Sequence, residues 1–182
     1  MEKEKVVLHV HTKYPEDAHT REDYLKIATL EKILKQAKVK KIRLIGITNT
    51  RDNLERIIRE YNNKEKEIEK IDNSLYISHQ SKIYLWRGYE WHKSGKNQGH
   101  VLLLGINEEK PIDKEINKYH NIEDIIKYGN DKEFLVVLDH PLAMLAGGVK
   151  EEKFRELLRK REEGLLDFAC SNKVVCHHKS IT

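Results

Sequence analysis

The segment His9-Val10-His11 places two imidazoles one residue apart at the end of a short apolar run near the N-terminus. Because alternate residues of a β-strand project to the same side, His9 and His11 are expected to point in the same direction. Two neutral imidazoles on one side of a strand end form a natural nucleus for a divalent metal site. The histidine pair therefore makes metal-dependent hydrolysis the first hypothesis for this chain.

Three further candidate ligands also stand at the ends of apolar runs. Glu90 ends the run 83–89, His100 begins the run that follows, and His140 comes directly after Val136–Asp139. In parallel α/β folds the carboxyl ends of the strands form the active site. A single strand-end histidine or glutamate is usually a surface or hydrogen-bonded residue. The repeated placement at strand ends favours one shared metal site.

Short apolar runs alternate with charged segments of helical period, which predicts the elements that hold these residues. Strands are predicted at 6–12, 42–48, 83–91, 101–106, 134–138 and 165–169. Helices are predicted at 21–38, 52–71, around 121–129 and at 150–162, the first with a capping box of Thr20 and Asp23. This alternation indicates an α/β fold with a largely parallel sheet covered by helices, and both an open sheet and a barrel fit it.

The composition limits the class of protein. A chain of 182 residues suits one domain, here residues 1–182, with a sizeable core. The net charge of +4 mildly favours an anionic substrate such as a phosphate ester or a nucleic acid. Cys170 and Cys176 show no pairing pattern, which predicts a reducing, cytoplasmic location. No apolar stretch approaches the roughly 20 residues of a membrane span, so no membrane partner is expected.

Taken in order, these motifs resemble the PHP (polymerase and histidinol phosphatase) family of metal-dependent phosphoesterases. His9-Val10-His11-Thr12 is similar to the family's first motif, and Gly88-Tyr89-Glu90 is similar to its strand-ending Gly-x-Glu. Gly99-His100-Val101 and His140-Pro141 match two later motifs, and the strand at 166–169 leads to Asn172 as in the family. The order and spacing agree over essentially the whole chain.

The resemblance implies a distorted (β/α)7-like barrel, incomplete or truncated at its C-terminal end. It also implies an acidic ligand soon after the first motif, with Asp17 a better fit than Glu16. The implied metal ligands are then His9, His11, Asp17, Glu90, His100 and His140. Among them Glu90 bridges two metals, and Glu90, His11 and His140 are the expected catalytic residues.

One or two divalent ions are expected, and imidazole and carboxylate ligands suit Zn, Mn or Fe. Such ions polarise a phosphoryl oxygen and lower the pKa of a bound water. The expected substrate is a phosphate-ester small molecule or a single-stranded nucleic acid. Cations beside the ligand motifs could contact its phosphate, and the candidates for this role are Arg51, Arg87 and Lys93. For each of them a solvated surface position is the alternative.

Three aromatic residues and one carboxylate near these motifs have two interpretations each. Trp86, Tyr89 and Trp91 could stack on a base, although core packing is the commoner role for strand residues. Asp139 could orient His140 or cap the turn that follows.

Two departures from the family pattern define the competing hypotheses. Thr50 stands where the second motif of the family, Thr-Asp-His-Asp, supplies a histidine, and the late Asp-x-His motif is missing. Both histidines serve the third metal in three-metal members, so that site is expected to be lost. The pair His177-His178 has metal-binding residue types but not the expected spacing. The alternative is a degenerate PHP module, or an N-terminal fragment of a longer protein, that binds metal or a partner without turnover.

Overall fold

The structure, a computed structural model, describes residues 4–12, 29–65, 68–92, 99–139, 141 and 148–170. Within them lie eight strands in one sheet: β1 (Lys5–Val10), β2 (Ile42–Ile47), β3 (Ile68–Lys70), β4 (Leu75–Ser78), β5 (Ile83–His92), β6 (His100–Leu104), β7 (Leu135–Asp139) and β8 (Ala169–Cys170). Five helices accompany them: α1 (Leu30–Val39), α2 (Leu54–Glu65), α3 (Asp113–Ile116), α4 (Ile122–Asp131) and α5 (Glu151–Glu162). The sheet curls into an open half-barrel, which confirms the predicted α/β class and incomplete PHP-type barrel.

The main path of the sheet runs β1-β2-β5-β6-β7-β8. The pairs β1–β2, β2–β5 and β7–β8 are parallel, whereas β6 is antiparallel to both of its neighbours. The expectation of a largely parallel sheet is therefore only partly right. Because β6 runs in the opposite direction, its first residue lies at the edge where β1, β2, β5 and β7 end.

Helices cover the outer face of this sheet and form two apolar clusters with it. The helix α1 begins at the N-cap Thr29, whose Oγ1 accepts a hydrogen bond from the backbone N–H of Lys32. Its buried residues recur at helical spacing and pack with those of α2, β2 and β5. The second cluster joins α4 and α5 to β5, β6 and β7. The two clusters thus fix the sheet against the helices on its outer face.

The inner face is small and tightly packed, and it leads to the ends of the strands. Leu102, Leu104 and Val137 are buried there against Leu8 and Trp86. A Cβ at Gly88 would lie 2.8 Å from the Thr48 side chain and 3.0 Å from a backbone oxygen of β6. Any other residue at this position would force β5 away from its neighbours, two residues before Glu90.

Three predicted elements differ from those observed. The predicted helix 52–71 ends at Glu65, and the chain continues through the antiparallel hairpin β3–β4. The predicted final strand 165–169 begins only at Ala169, because residues 166–168 are not in the sheet. The first part of the predicted helix 21–38, with its capping box, lies outside the described residues. No helix in the described ranges has the length and apolar character that a membrane crossing requires.

Candidate metal centre

The candidate ligands that the structure describes meet at one edge of the sheet. His9 and His11 lie at the end of β1, Glu90 lies near the end of β5, and His100 begins the antiparallel β6. The pairing of β1 with β2 shifts between Val7 and Val10, so His9 falls in an irregular part of the ladder. Such irregularities re-aim side chains next to active sites.

His9, His11 and Glu90 converge on one point. The Nε2 atoms of the two histidines are 3.1 Å apart, and their rings meet edge to face. His11 Nε2 also lies 3.0 Å from Glu90 Oε2. One ligand atom from each of the three residues falls within 4.8 Å of the others. This is the only metal-type cluster of three histidine, cysteine or carboxylate side chains within the described ranges.

Glu90 is the central carboxylate of this cluster. Its side chain is only 6% exposed, and its second oxygen lies 2.6 Å from His100 Nδ1. Burial raises the pKa of Glu90, but the contacts with His100 and His11 lower it more, so the pKa lies well below its usual range. Glu90 therefore stays ionised and can offer one oxygen toward the two N-terminal histidines and the other toward His100.

His9 is oriented by contacts on its other ring nitrogen. Its Nδ1 lies 3.3 Å from Thr48 Oγ1 and 3.8 Å from a carboxylate oxygen of Asp139. A metal-binding histidine characteristically gives its second nitrogen to an oxygen of this kind, which directs the lone pair of the first nitrogen at the metal. Asp139 thus lies beside His9, a contact that sequence reasoning did not identify.

Asn49 fixes the backbone around the cluster without being a ligand. Its Oδ1 accepts from the Thr12 N–H, and its Nδ2 donates to Thr12 Oγ1 and to Asn53 Oδ1, each at 2.8 Å. Its backbone oxygen accepts from the Glu90 N–H at 3.0 Å. Asn49, Thr12 and Thr48 are all buried. The sequence indicates a role of this kind only in that polar residues directly follow the strand β2.

These side chains fit a divalent metal. Two imidazole nitrogens and a carboxylate oxygen are the ligand set of many Zn, Mn and Fe sites, and three protein ligands leave a position for water or substrate. The ligand side chains are also partly accessible, with 20% of His9 and 31% of His11 exposed. The cluster can therefore hold an ion that remains in contact with solvent.

Several predicted site residues lie outside the described residues. These are Asp17 and its alternative Glu16, His140, Lys93 and the pair His177-His178. Thr50, at the position of the missing family histidine, lines a cleft beside Glu90. Arg51 is exposed and lines the same cleft, and its contact with phosphate stays a prediction.

The expectation that Arg87 contacts phosphate is wrong, because its guanidinium is used within the protein. Its Nε and Nη2 bind the two oxygens of Asp52 at 2.7 Å, and the remaining donors bind the backbone oxygens of residues 73, 108 and 110. All five N–H groups thus have partners, and Arg87 is 2% exposed. Asp52 also accepts from the Ile112 N–H. This buried pair joins β5 to the loop before α3.

Tyr89 and Trp91 are core residues, 6% and 4% exposed. They belong to the apolar cluster under α4 and α5, although both also reach the wall of the cleft. Trp86 lies on the inner face against Leu102 and Leu104. Packing accounts for all three aromatic side chains, as the alternative interpretation of the sequence held.

Comparison with solved structures identifies the fold. The chain superimposes on endonuclease Q in complex with a 27-mer duplex substrate carrying an abasic lesion, with a TM-score of 0.51 and 20% identity over 76% of this chain. The lesion-specific endonuclease Q of Pyrococcus furiosus gives a TM-score of 0.50, also with 20% identity over 76% of this chain. The chain has the fold of these PHP-type enzymes. It spans about a third of their length, 35% and 34%.

The sequence itself is far from known groups. No protein-family profile matches it. No protein of curated function matches it significantly. The PHP resemblance of the motifs is confirmed by the comparison of folds and not by a match of sequences.

Proposed function

We propose that this chain is a metal-dependent phosphoesterase of the PHP type, which hydrolyses a phosphomonoester or a short nucleic-acid phosphodiester. The observation that carries the proposal is the convergence of His9, His11 and Glu90, with one ligand atom each within 4.8 Å, at the edge of a PHP-type sheet. A buried, ionised glutamate surrounded by three imidazoles has no evident structural purpose at a strand end. It is the arrangement that a divalent metal requires.

The proposed metal ligands are His9, His11, Asp17, Glu90, His100 and His140, with one or two ions of Zn, Mn or Fe. A bound divalent ion supplies a Lewis acid and activates water near neutral pH. Glu90, His11 and His140 are the proposed catalytic residues. Glu90 holds its negative charge between the histidines, while Thr48 sets the orientation of His9.

A nucleic-acid substrate is favoured over a small phosphate ester by the two neighbouring structures. One neighbour is an endonuclease with a duplex substrate, and the other is described as lesion-specific. We propose that residues 1–182 form one domain that acts in the cytoplasm. We propose further that a nucleic-acid substrate is bound as a single strand.

The second candidate function is a PHP module that binds metal or a partner without turnover. Thr50 favours it, because a threonine stands where the family motif has a histidine, at the wall of the cleft beside Glu90. The three imidazoles of His9, His11 and His100 around Glu90 favour the enzyme instead.

The test is hydrolysis of bis(p-nitrophenyl) phosphate, p-nitrophenyl phosphate and single-stranded DNA with added Mn²⁺ or Zn²⁺. Wild-type protein is compared with Glu90→Gln, which keeps the side-chain shape but removes the charge. We expect metal-dependent turnover that falls by about two orders of magnitude or more in the variant. Glu69→Gln, an exposed glutamate paired with His79, is the matched control. Metal binding without any turnover would favour the second candidate.

A further inference from the structure

A cleft of about 860 Å³ adjoins the candidate metal centre. Glu90 forms part of its wall, so a ligand in the cleft reaches the same carboxylate that contacts His11 and His100. Thr50, a small residue at the position of the family histidine, also lines it. The cleft is therefore continuous with the place where a phosphate would be cleaved.

Four arginines line this cleft: Arg87, which Asp52 holds inside the protein, and the exposed Arg51, Arg56 and Arg59. Arg56 and Arg59 lie on the exposed face of α2, one helical turn apart, and Arg51 precedes the helix. The buried face of α2, with Leu54, Ile57 and Ile58, packs on the sheet and fixes where the arginines are presented. Guanidinium groups bind phosphate oxygens in a bidentate manner.

The carboxylates in the cleft do not cancel this charge. Asp52 is neutralised by Arg87 within the protein, and Glu55 is bound by Lys70 at 2.6 Å. Asp113 also lines the cleft, and its Oδ1 accepts from the Asp52 N–H. Glu60 lies 3.6 Å from Arg56 in an exposed pair, which contributes little. Once the pairs Asp52–Arg87 and Glu55–Lys70 are set aside, the three arginines face two carboxylates of the cleft lining, Asp113 and Glu90.

The arrangement suits a chain of phosphates better than a single one. Arg56 and Arg59 are separated by a rise of about 4.5 Å along the helix, and Arg51 extends the row before the helix begins. A phosphomonoester would occupy only one part of such a row. Tyr119, half-buried at the same cleft with its ring centroid 5.1 Å from that of Tyr128, offers an aromatic face to a base.

We propose that this arginine-lined cleft binds the phosphate backbone of a nucleic-acid strand through Arg51, Arg56 and Arg59 and leads it to Glu90. The second half of this statement rests on the proposed function. The first half, binding of the strand, stands by itself and is measured without turnover.

The test is the affinity for a fluorescein-labelled DNA single strand of about 12 nucleotides in EDTA, measured by anisotropy at several salt concentrations. The variant Arg56→Gln/Arg59→Gln is compared with the wild type and with Arg155→Gln/Arg159→Gln. The control pair removes two exposed arginines from α5, none of whose residues lines the cleft. Glutamine preserves helix propensity in both variants.

We expect the cleft variant to bind about tenfold more weakly or worse at low salt, and its slope of log affinity against log salt to be less steep by about 1.4. The control pair should keep the wild-type slope. Equal losses in both variants, or an unchanged slope in the cleft variant, would overturn the proposal. If the double variant fails to fold, Arg51→Gln in the preceding loop is expected to lower the slope by about 0.7.

Hydrolysis of bis(p-nitrophenyl) phosphate by the same proteins separates the two proposals. Intact metal-dependent hydrolysis with no role of the arginines in DNA binding would contradict the cleft proposal alone. Arginine-dependent DNA binding without any hydrolysis would contradict the proposed function and leave the cleft proposal standing.

Discussion

Asn49 contacts the backbone on both sides of the candidate metal centre. One side-chain amide holds Thr12, next to His11, and the backbone oxygen of the same residue holds Glu90. In the PHP motif this position is an aspartate, and here a neutral amide makes one acceptor and two donor contacts while fully buried. Residues that orient metal ligands typically affect metal affinity nearly as much as the ligands do.

We therefore expect Asn49→Ala to weaken Mn²⁺ or Zn²⁺ binding by about 10- to 100-fold, as measured by isothermal titration calorimetry. Asn49→Asp should recover most of the affinity, because a carboxylate can still accept from the Thr12 N–H. Asn53→Ala removes only one of the hydrogen bonds of Asn49 and is the control. Equal effects of Asn49→Ala and Asn53→Ala would show that Asn49 has no special role.

Arg87 is expected to stabilise the fold and not to bind substrate. Lysine at this position keeps the charge but cannot satisfy five acceptors, so Arg87→Lys should lower the free energy of unfolding by about 3 kcal/mol in urea titrations. The KM of the folded variant should remain close to the wild-type value. A raised KM with unchanged stability would instead restore the interpretation of Arg87 as a phosphate contact.

The secondary-structure elements were predictable where one face of an element is apolar. Each of the strands β2, β5, β6 and β7 and of the helices α2, α4 and α5 overlaps a predicted segment, because the burial of one face gives the sequence a recognisable hydrophobic period. The hairpin β3–β4 was missed, since its segment 68–78 is short and rich in charge and resembles a continuation of the helix. The hydrophobic pattern does not give the direction of a strand within the sheet. The antiparallel orientation of β6 could therefore not be predicted from it.

The candidate site was predictable to the extent that its ligands interrupt apolar runs. His9, His11, Glu90 and His100 carry that signal, and the structure brings them together. Arg56 and Arg59 do not, because an exposed arginine on a charged helix is indistinguishable from a solvated one. Their position at the cleft depends on the packing of α2 on the sheet.

The helices α4 and α5 are joined by a cluster of charges around Glu123. Lys160 donates to Glu123 at 2.7 Å, and Lys127 and Lys153 lie 3.1 and 3.6 Å away. The hydrogen bond from Lys160, with further help from Lys127, lowers the pKa of Glu123 to about 2 from its ordinary value of 4.5. A lowered pKa means that the ionised group stabilises the fold above pH 4.5 and loses this effect as the pH falls toward 2.

Glu123→Gln should consequently lower the thermal midpoint by about 2–4 °C at pH 7, equivalent to about 1 kcal/mol. The difference from wild type should shrink steadily in melts recorded below pH 4.5. Glu163→Gln, which breaks an exposed pair with Arg159 on α5, serves as the reference and should shift the midpoint less. A midpoint difference that stays constant down to pH 2 would argue against the charge cluster.

At the scale of the whole molecule, the described residues form a half-barrel whose polar site lies along one edge of the sheet. The strands β1, β2, β5 and β7 end at this edge, and β6 begins there, so ligands far apart in the sequence need no long loops to meet. The cleft with its arginines continues from the same edge. The formal charge of +4 is modest, and the exposed residues Arg51, Arg56 and Arg59 lie at the cleft beside the candidate metal centre.

The most direct test of this account is the metal content of the purified protein after incubation with Mn²⁺ or Zn²⁺ and removal of free ions. We predict at least one ion per chain by plasma mass spectrometry, with the ion lost in both His11→Gln and Glu90→Gln. His79→Gln, which replaces an exposed histidine outside the site, should retain it. Less than one ion per chain in the wild type, or equal content in all three variants, would contradict the account.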